Sequence, residues 1–236
     1  MRESAGEAGK GTMRVAALIA AYNAGMGIEA VVKGCRSFCP RVLVVDDGSS
    51  DETEVWAWKA GAEVVRHPQN RGKGAALQTG FRILLREGQY DAILTLDADG
   101  QHDPSDIPNF LQAAEEKEAG IVVGSRLAHM QGMRRVRRLC NRLSTRCIAY
   151  LCGQEIEDSQ SGYRLIRTDL LRKIEWRGDR YDLEADLLVQ ASRAHFPILS
   201  IPVAAPVIDG LPTSHYRPFV DSFLIGLTIL RHFFRR

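Results

Sequence analysis

The sequence has almost no excess charge, no even set of cysteines and no apolar run long enough to cross a bilayer. Its 31 Lys and Arg stand against 29 Asp and Glu, a net of +2, so no global basicity points to nucleic acid. Five cysteines in 236 residues do not make a full disulfide framework. Neither Cys35 with Cys39 nor Cys147 with Cys152 has a matching second pair at zinc spacing, and all five are expected to be reduced, mostly buried thiols of a cytosolic protein. The strongest apolar stretch, residues 219–234, is broken by Asp221, Arg231 and His232. It falls short of the roughly 20 residues a transmembrane helix needs, so it reads as a core or interfacial amphipathic helix. Residues 1–12 contain no apolar run, so they read as a disordered tail and not as a signal peptide. With 45% hydrophobic and 25% charged residues, the composition excludes disorder, collagen-like repeats and a polytopic membrane protein.

What is present is alternation. Short runs rich in Val and Ile at residues 15–20, 42–45, 63–66, 92–96 and 121–124 predict buried parallel strands. Helical patterns at 28–34, 53–60, 73–86 and 107–119 lie between them, with Asp51 placed to cap the second. This order predicts one α/β domain with an open, mostly parallel, twisted sheet flanked by helices. Beyond residue 126 the pattern changes to a long arginine-rich helix, a strand at 162–166, a helix at 182–194, a strand at 198–203 and the C-terminal amphipathic helix. Residues 13–126 are expected to form a nucleotide-binding half and 127–236 an acceptor- and membrane-facing half.

The most informative segment is Leu94-Thr95-Leu96-Asp97-Ala98-Asp99-Gly100-Gln101, an apolar strand ending in two carboxylates at i, i+2. Like charges side by side repel unless a cation lies between them, and hard oxygen donors suit Mg²⁺ or Mn²⁺ held with a substrate diphosphate. A solvated turn rich in Asp and Gly accounts for this segment equally well. Val42 to Asp51 repeats the layout on an earlier strand, where Asp46 or Asp47 could accept a hydrogen bond from a base or a ribose. Tyr22, ending the first strand, would add an aromatic plate, or is simply a packed tyrosine. Asn70-Arg71-Gly72-Lys73-Gly74 looks like a phosphate loop, but no Ser or Thr follows the lysine and the Walker spacing is absent. Its glycines are read as permitting a tight entry into the next helix, with phosphate contact by Lys73 the lesser reading. In the arginine-rich helix, Val136, Leu139, Cys140, Leu143, Cys147, Tyr150 and Leu151 share one face, and Arg134, Arg135, Arg137, Arg138, Arg142 and Arg146 the other. No acid interrupts residues 130–152, which favours an anionic membrane surface or lipid headgroup over a merely solvated face.

Taken in order, Ala21-Tyr22-Asn23, Val44-Val45-Asp46-Asp47-Gly48-Ser49 and Asp97-Ala98-Asp99-Gly100-Gln101 resemble the signature of family 2 glycosyltransferases of the GT-A (Rossmann-like) fold. Residues 70–75, Gly124-Ser125-Arg126 and Asp158-Ser159-Gln160-Ser161-Gly162-Tyr163-Arg164 extend the match across roughly residues 15–194. The most similar subgroup is the polyprenyl- and dolichyl-phosphate mannose or glucose synthases. The resemblance implies that Tyr22 and Asp47, with Asp46 beside it, hold the base and ribose, and that Asp97 and Ala98 line the nucleotide site. It implies that Asp97, Asp99 and Gln101 bind the metal, and that Arg126 contacts the diphosphate or sugar. Glu184 falls where relatives carry an active-site acid, so Asp99, Glu184 and Arg126 form the expected catalytic set. His215 and Arg217 resemble a basic loop closing over the donor phosphates, although His215 stands where a lysine is usual. Ala20 and Ala24 likewise replace a common Pro and Glu.

The expected activity is metal-dependent, inverting transfer of a sugar from a nucleotide diphosphate sugar, of UDP-glucose or GDP-mannose type, to a polyprenyl phosphate. The expected location is cytoplasmic, peripheral to the inner face of a membrane, with no nucleic-acid partner. Two alternatives stand beside it. One is a glycosyltransferase acting on a saccharide or small-molecule hydroxyl, with Glu184, Asp158 or Asp186 as its base. The other is a non-catalytic module binding nucleotide sugars or a membrane surface.

Overall fold

In a computed structural model of the chain, residues 13–126, 135–204, 225–228 and 230–233 are described, 135–137 by backbone alone. The first half runs β1 (Val15–Ala21), α1 (Gly27–Arg36), β2 (Arg41–Asp46), α2 (Thr53–Lys59), β3 (Glu63–Arg66), α3 (Lys73–Glu87), β4 (Ala92–Asp97), α4 (Ile107–Lys117) and β5 (Ile121–Ser125). The second half adds α5 (Arg135–Cys152), β6 (Arg164–Arg167), α6 (Thr168–Lys173), α7 (Asp182–Arg193) and β7 (Ile198–Pro202). The strands form one seven-stranded sheet in the order β3-β2-β1-β4-β6-β5-β7. Every pairing is parallel except those of β6, which runs antiparallel to both β4 and β5. The expected mostly parallel α/β sheet is the observed one. The strand expected at 162–166 is β6; its antiparallel direction and the short α6 behind it are what the strand pattern alone does not reveal.

The strands are apolar on both sides because helices cover both faces. On one face Ala17, Ile19, Val44 and Leu94 pack with Ile28, Val32, Ala57 and Phe110 from α1, α2 and α4. On the other, Leu18, Leu43 and Ile93 pack with Leu77, Phe81, Leu170 and Leu187 from α3, α6 and α7. Each large side chain so buried contributes roughly 1.5–3 kcal/mol. After β1 the chain moves outward through β2 to β3, then returns to lay β4 on the other side of β1. In such sheets ligands bind at the carboxyl edge where the winding reverses, here between β1 and β4.

All five cysteines are free. Burial pushes Cys39 and Cys152 up to about 12, which makes them unreactive, while Cys140 and Cys147 lie exposed on α5. The helical residues 225–228 and 230–233 reach α7 through His232, whose Nε2 meets Asp186 Oδ1 at 2.7 Å and whose carbonyl accepts from Arg193 Nη2 at 2.7 Å. Among the described residues no helix is long and apolar enough to cross a membrane.

α5 leaves most of its apolar stripe outside the core. Its inward residues are Asn141, Thr145, Ile148 and Cys152, and the apolar stripe expected to define one face points out. Leu139 is 60% exposed, Leu143 56% and Tyr150 67%.

Candidate active site

Three parallel strands deliver their C-terminal ends to one edge of the sheet. Tyr22 and Asn23 follow β1, Asp46 and Asp47 close β2, and Asp97 closes β4 with Asp99 in the turn beyond. A cleft enclosing about 910 Å³, open solvent at its mouth included, lies over this edge. Tyr22, Asn23, Asp47, Asn70, Lys73, Asp97, Ala98, Asp99 and Tyr181 line it.

Consecutive residues at a strand end point to opposite sides, so only one of the two β2 acids reaches the cleft. Asp47 is that residue. Its carboxylate accepts the backbone N–H groups of Arg71 at 3.0 Å and Gly72 at 2.7 Å and meets His67 Nδ1 at 2.7 Å. It thereby fixes the loop of residues 70–74. Asp46 is fully buried, accepts the backbone N–H and hydroxyl of Ser49, and does not join the cleft lining. Asp51, expected to cap α2, stands one residue before its N-cap Glu52 and accepts the N–H of Thr53 at 3.1 Å.

The glycines of the 70–74 loop are there for contact. Gly72 has φ +102°, and a Cβ there would stand 2.4 Å from the carbonyl oxygen of Asp179. The close approach lets Ala75 N–H donate to that carbonyl at 3.0 Å and Gln78 Nε2 to the carbonyl of Gly178 at 2.8 Å. The start of α3 is thus tied to the segment that leads into α7, which carries Glu184. Between them sits Lys73, whose Nζ lies 2.5 Å from Asp97 Oδ1 and 2.9 Å from Glu184 Oε1. Gly162 leaves room for this pairing, since a Cβ there would fall 2.5 Å from Asp97 Oδ2 and 2.6 Å from Lys73 Nζ.

Burial opposes charge on Lys73, but Asp97 and Glu184 outweigh it and hold the ammonium above its ordinary range. Burial would likewise raise Asp97, yet Lys73 and His102 hold its carboxyl well below the usual carboxylate range. Asp99 goes the other way, raised by burial and then by the neighbouring charge of Asp97. Among the described residues no lysine, arginine or histidine forms an ion pair with it.

A second pocket opens on the far side of Lys73, Asp97, Asp99 and Tyr181, which line both. Gln101, Arg126, Asn141, Gln160, Glu184 and Ile225 complete it. Arg126 is held by Asp158, with Nε to Oδ2 at 2.8 Å and Nη2 to Oδ1 at 3.2 Å, and Asn141 adds a donor to Oδ1 at 3.2 Å. Behind them Arg164 is almost wholly buried and donates only to carbonyls, those of Ser161, Glu184 and Ser159, at 2.8, 2.6 and 2.7 Å. That guanidinium joins the 159–161 loop to the first turn of α7.

The structure therefore brings together Tyr22, Asp47, Asp97, Ala98, Asp99, Gln101, Arg126 and Glu184. His215 and Arg217 lie outside the described residues. Asp158 and Asp186 are fully buried in pairs with Arg126 and His232, and neither lines a pocket. Lys73 is the residue that sequence reasoning set aside, although its place between two glycines at a helix start was the available signal. The donor chemistry of Asp97, Asp99 and Gln101 fits a hard divalent cation, because all offer oxygens and Asp99, beside the repulsive Asp97, forms no ion pair among the described residues. The protein set alone is thin: among the described residues no three His, Cys, Asp or Glu side chains are gathered to hold a metal.

Comparison with known proteins places these features in a lineage. Residues 16–175 match the model of glycosyl transferase family 2. An undecaprenyl-phosphate mannosyltransferase of Micrococcus luteus is 31% identical over 81% of this chain and 83% of its own. A polyprenol monophosphomannose synthase of Mycolicibacterium smegmatis is 30% identical over 81% and 77%. Among solved structures, glucosyl-3-phosphoglycerate synthase from Mycobacterium tuberculosis, in complex with Mn²⁺, UDP-glucose and phosphoglyceric acid, superposes with a TM-score of 0.72 at 21% identity, covering 98% of this chain and 85% of that one.

Proposed function

The chain belongs to glycosyl transferase family 2, and from that premise we propose that it transfers a hexose from a nucleotide diphosphate sugar to the phosphate of a polyprenyl phosphate, with inversion, at a cytoplasmic membrane surface. The observation that carries this reading is the pair of adjoining pockets, which share Lys73, Asp97, Asp99 and Tyr181 as their common wall. Such a wall suits a reaction in which a bond to one ligand breaks as a bond to the other forms. A polyprenyl-phosphate acceptor, as in the names of the two relatives, suits the second pocket because Arg126 and not a free base faces it.

In this reading the nucleoside lies against Tyr22, Asp47 and Ala98, and its diphosphate points toward Asp97 and Asp99. Asp97, Asp99 and Gln101 would hold Mg²⁺ or Mn²⁺, which when bound offsets the charge developing on the departing nucleoside diphosphate. Asp158 fixes the plane of Arg126, so its charge is aimed without rotamer freedom at the acceptor phosphate. A phosphate monoester is already an anion near neutral pH and needs positioning more than proton removal. Glu184 fits this, since its Oε1 is engaged by Lys73. On its outer side, the helix α5 that contributes Asn141 and Ile148 to the acceptor pocket presents Leu139, Leu143 and Tyr150 among Arg138, Arg142 and Arg146. We assign that face to an anionic bilayer surface.

Two variants separate the acceptor classes. A hydroxyl nucleophile loses roughly 10²–10⁴-fold without its base. Glu184→Gln is expected to lower the rate modestly and Arg126→Ala to lower it more, measured with the best donor across the accessible pH range. Collapse of Glu184→Gln at every pH, with Arg126→Ala only mildly impaired, would assign a hydroxyl acceptor instead.

A further inference from the structure

We propose that Lys73 is an internal counter-cation that occupies Asp97 until the donor arrives, so that a divalent cation binds tightly only together with the nucleoside diphosphate. The inference rests on the metal-assisted reading above and adds to it an order of events set by one side chain.

Geometry carries it. Lys73 Nζ lies 2.5 Å from Asp97 Oδ1, the carboxylate that a cation at this site would have to share. A second carboxylate, Glu184, also holds the ammonium, at 2.9 Å, so Lys73 is not a surface side chain that has drifted in. Its side chain is only 14% exposed, and the missing side chain at Gly162 leaves the space in which the pair sits. A dication and an ammonium competing for one carboxylate repel each other strongly in a half-buried site. The protein offers no third His, Cys, Asp or Glu ligand, among the described residues, that would offset this. A nucleoside diphosphate supplies what is lacking, since its oxygens add ligands for the cation and its negative charge gives the ammonium an alternative partner. Because Lys73 lies on the wall of both pockets beside Asp97 and Asp99, its positive charge is met by each ligand. Binding free energies are reciprocal, so the cation must tighten the nucleotide by the same factor.

The test is Mn²⁺ binding, read by electron paramagnetic resonance of the free ion and by titration calorimetry. It is done without nucleotide and with saturating UDP or GDP, on the unmodified chain and on Lys73→Met and Lys73→Arg. The unmodified chain is expected to bind Mn²⁺ about tenfold or more tighter with the accepted nucleotide than without it. Lys73→Met is expected to bind Mn²⁺ alone about tenfold tighter than the unmodified chain, with the nucleotide effect reduced, while Lys73→Arg, which keeps the charge, stays weak. Circular dichroism checks that the variants fold. If Lys73→Met does not fold, the unmodified chain decides, because equal Mn²⁺ affinity with and without nucleotide overturns the inference. A folded Lys73→Met that binds Mn²⁺ no tighter also overturns it and leaves the metal reading standing. Nucleotide binding with no Mn²⁺ binding under any condition overturns both.

Discussion

Asp158 is wholly buried, the Arg126 side chain is 13% exposed, and the two side chains are joined by two hydrogen bonds. Burial would raise the Asp158 carboxyl, but Arg126 and the donors from Asn141 and Gln160 outweigh it and hold it low. A carboxyl depressed in the folded state stabilises fully above its unfolded value of about 4, and that contribution fades as pH falls toward the lower folded value. Asp158→Asn leaves the largely buried Arg126 guanidinium without its counter-charge, a defect that costs up to about 3–5 kcal/mol where the charge is fully buried and less here at the pocket wall. The difference in urea midpoint between the unmodified chain and Asp158→Asn is therefore expected to be large at pH 7 and to shrink on acidification below about pH 4. A gap that stays constant down to pH 3 would assign the loss to packing and not to charge. At this scale the sequence was legible where a residue's partner is its own strand end, as at Asp97 and Asp99. It was not legible where the partner is far away in the chain. The lysine at 73 answers to a glutamate at 184, and no local pattern states that.

The elements were largely readable because buried parallel strands write themselves as Val- and Ile-rich runs, and β1 to β5 lie within about a residue of where the pattern puts them. α5 was readable as a helix and misleading as a surface. Helical periodicity gathers its apolar residues on one face, yet the face turned inward is held by polar contacts. Asn141 donates to Asp158 at 3.2 Å, and the hydroxyls of Thr145 and Ser159 are 2.9 Å apart. With the polar side turned to the second pocket and the 158–161 loop, the apolar stripe is left outside beside the arginines. Leu139→Ser with Leu143→Ser should leave thermal stability nearly unchanged, because exposed substitutions usually act within about 0.5 kcal/mol. The same pair should weaken binding to vesicles containing anionic lipid. Arg138, Arg142 and Arg146 changed together to Gln should remove the salt-sensitive part, since surface attraction is screened over roughly 10 Å at 0.1 M. Vesicle binding unmoved by both sets would take α5 off the membrane.

Across the whole molecule, the winding of the sheet places the site. Because β4 returns to the opposite side of β1 from β2, the acids of two strands and the aromatic of a third meet over one gap. The antiparallel β6, reached through the 158–162 loop, brings Arg164 and Gly162 up beneath them. α7 and the helical residues fastened to it by His232 close the second pocket with Glu184 and Ile225. The fold thus builds two pockets around one cluster of charge, and the central claim is that a sugar passes between them onto a lipid phosphate. The most direct measurement incubates the chain with Mn²⁺, polyprenyl phosphate and, in turn, radiolabelled UDP-glucose and GDP-mannose, and counts label in the organic phase. One donor is expected to give lipid-linked label that disappears with EDTA and with Asp99→Ala, whose fold is checked by circular dichroism. Label that stays in the aqueous phase with both donors, or that reaches the lipid equally well in EDTA, would contradict the account.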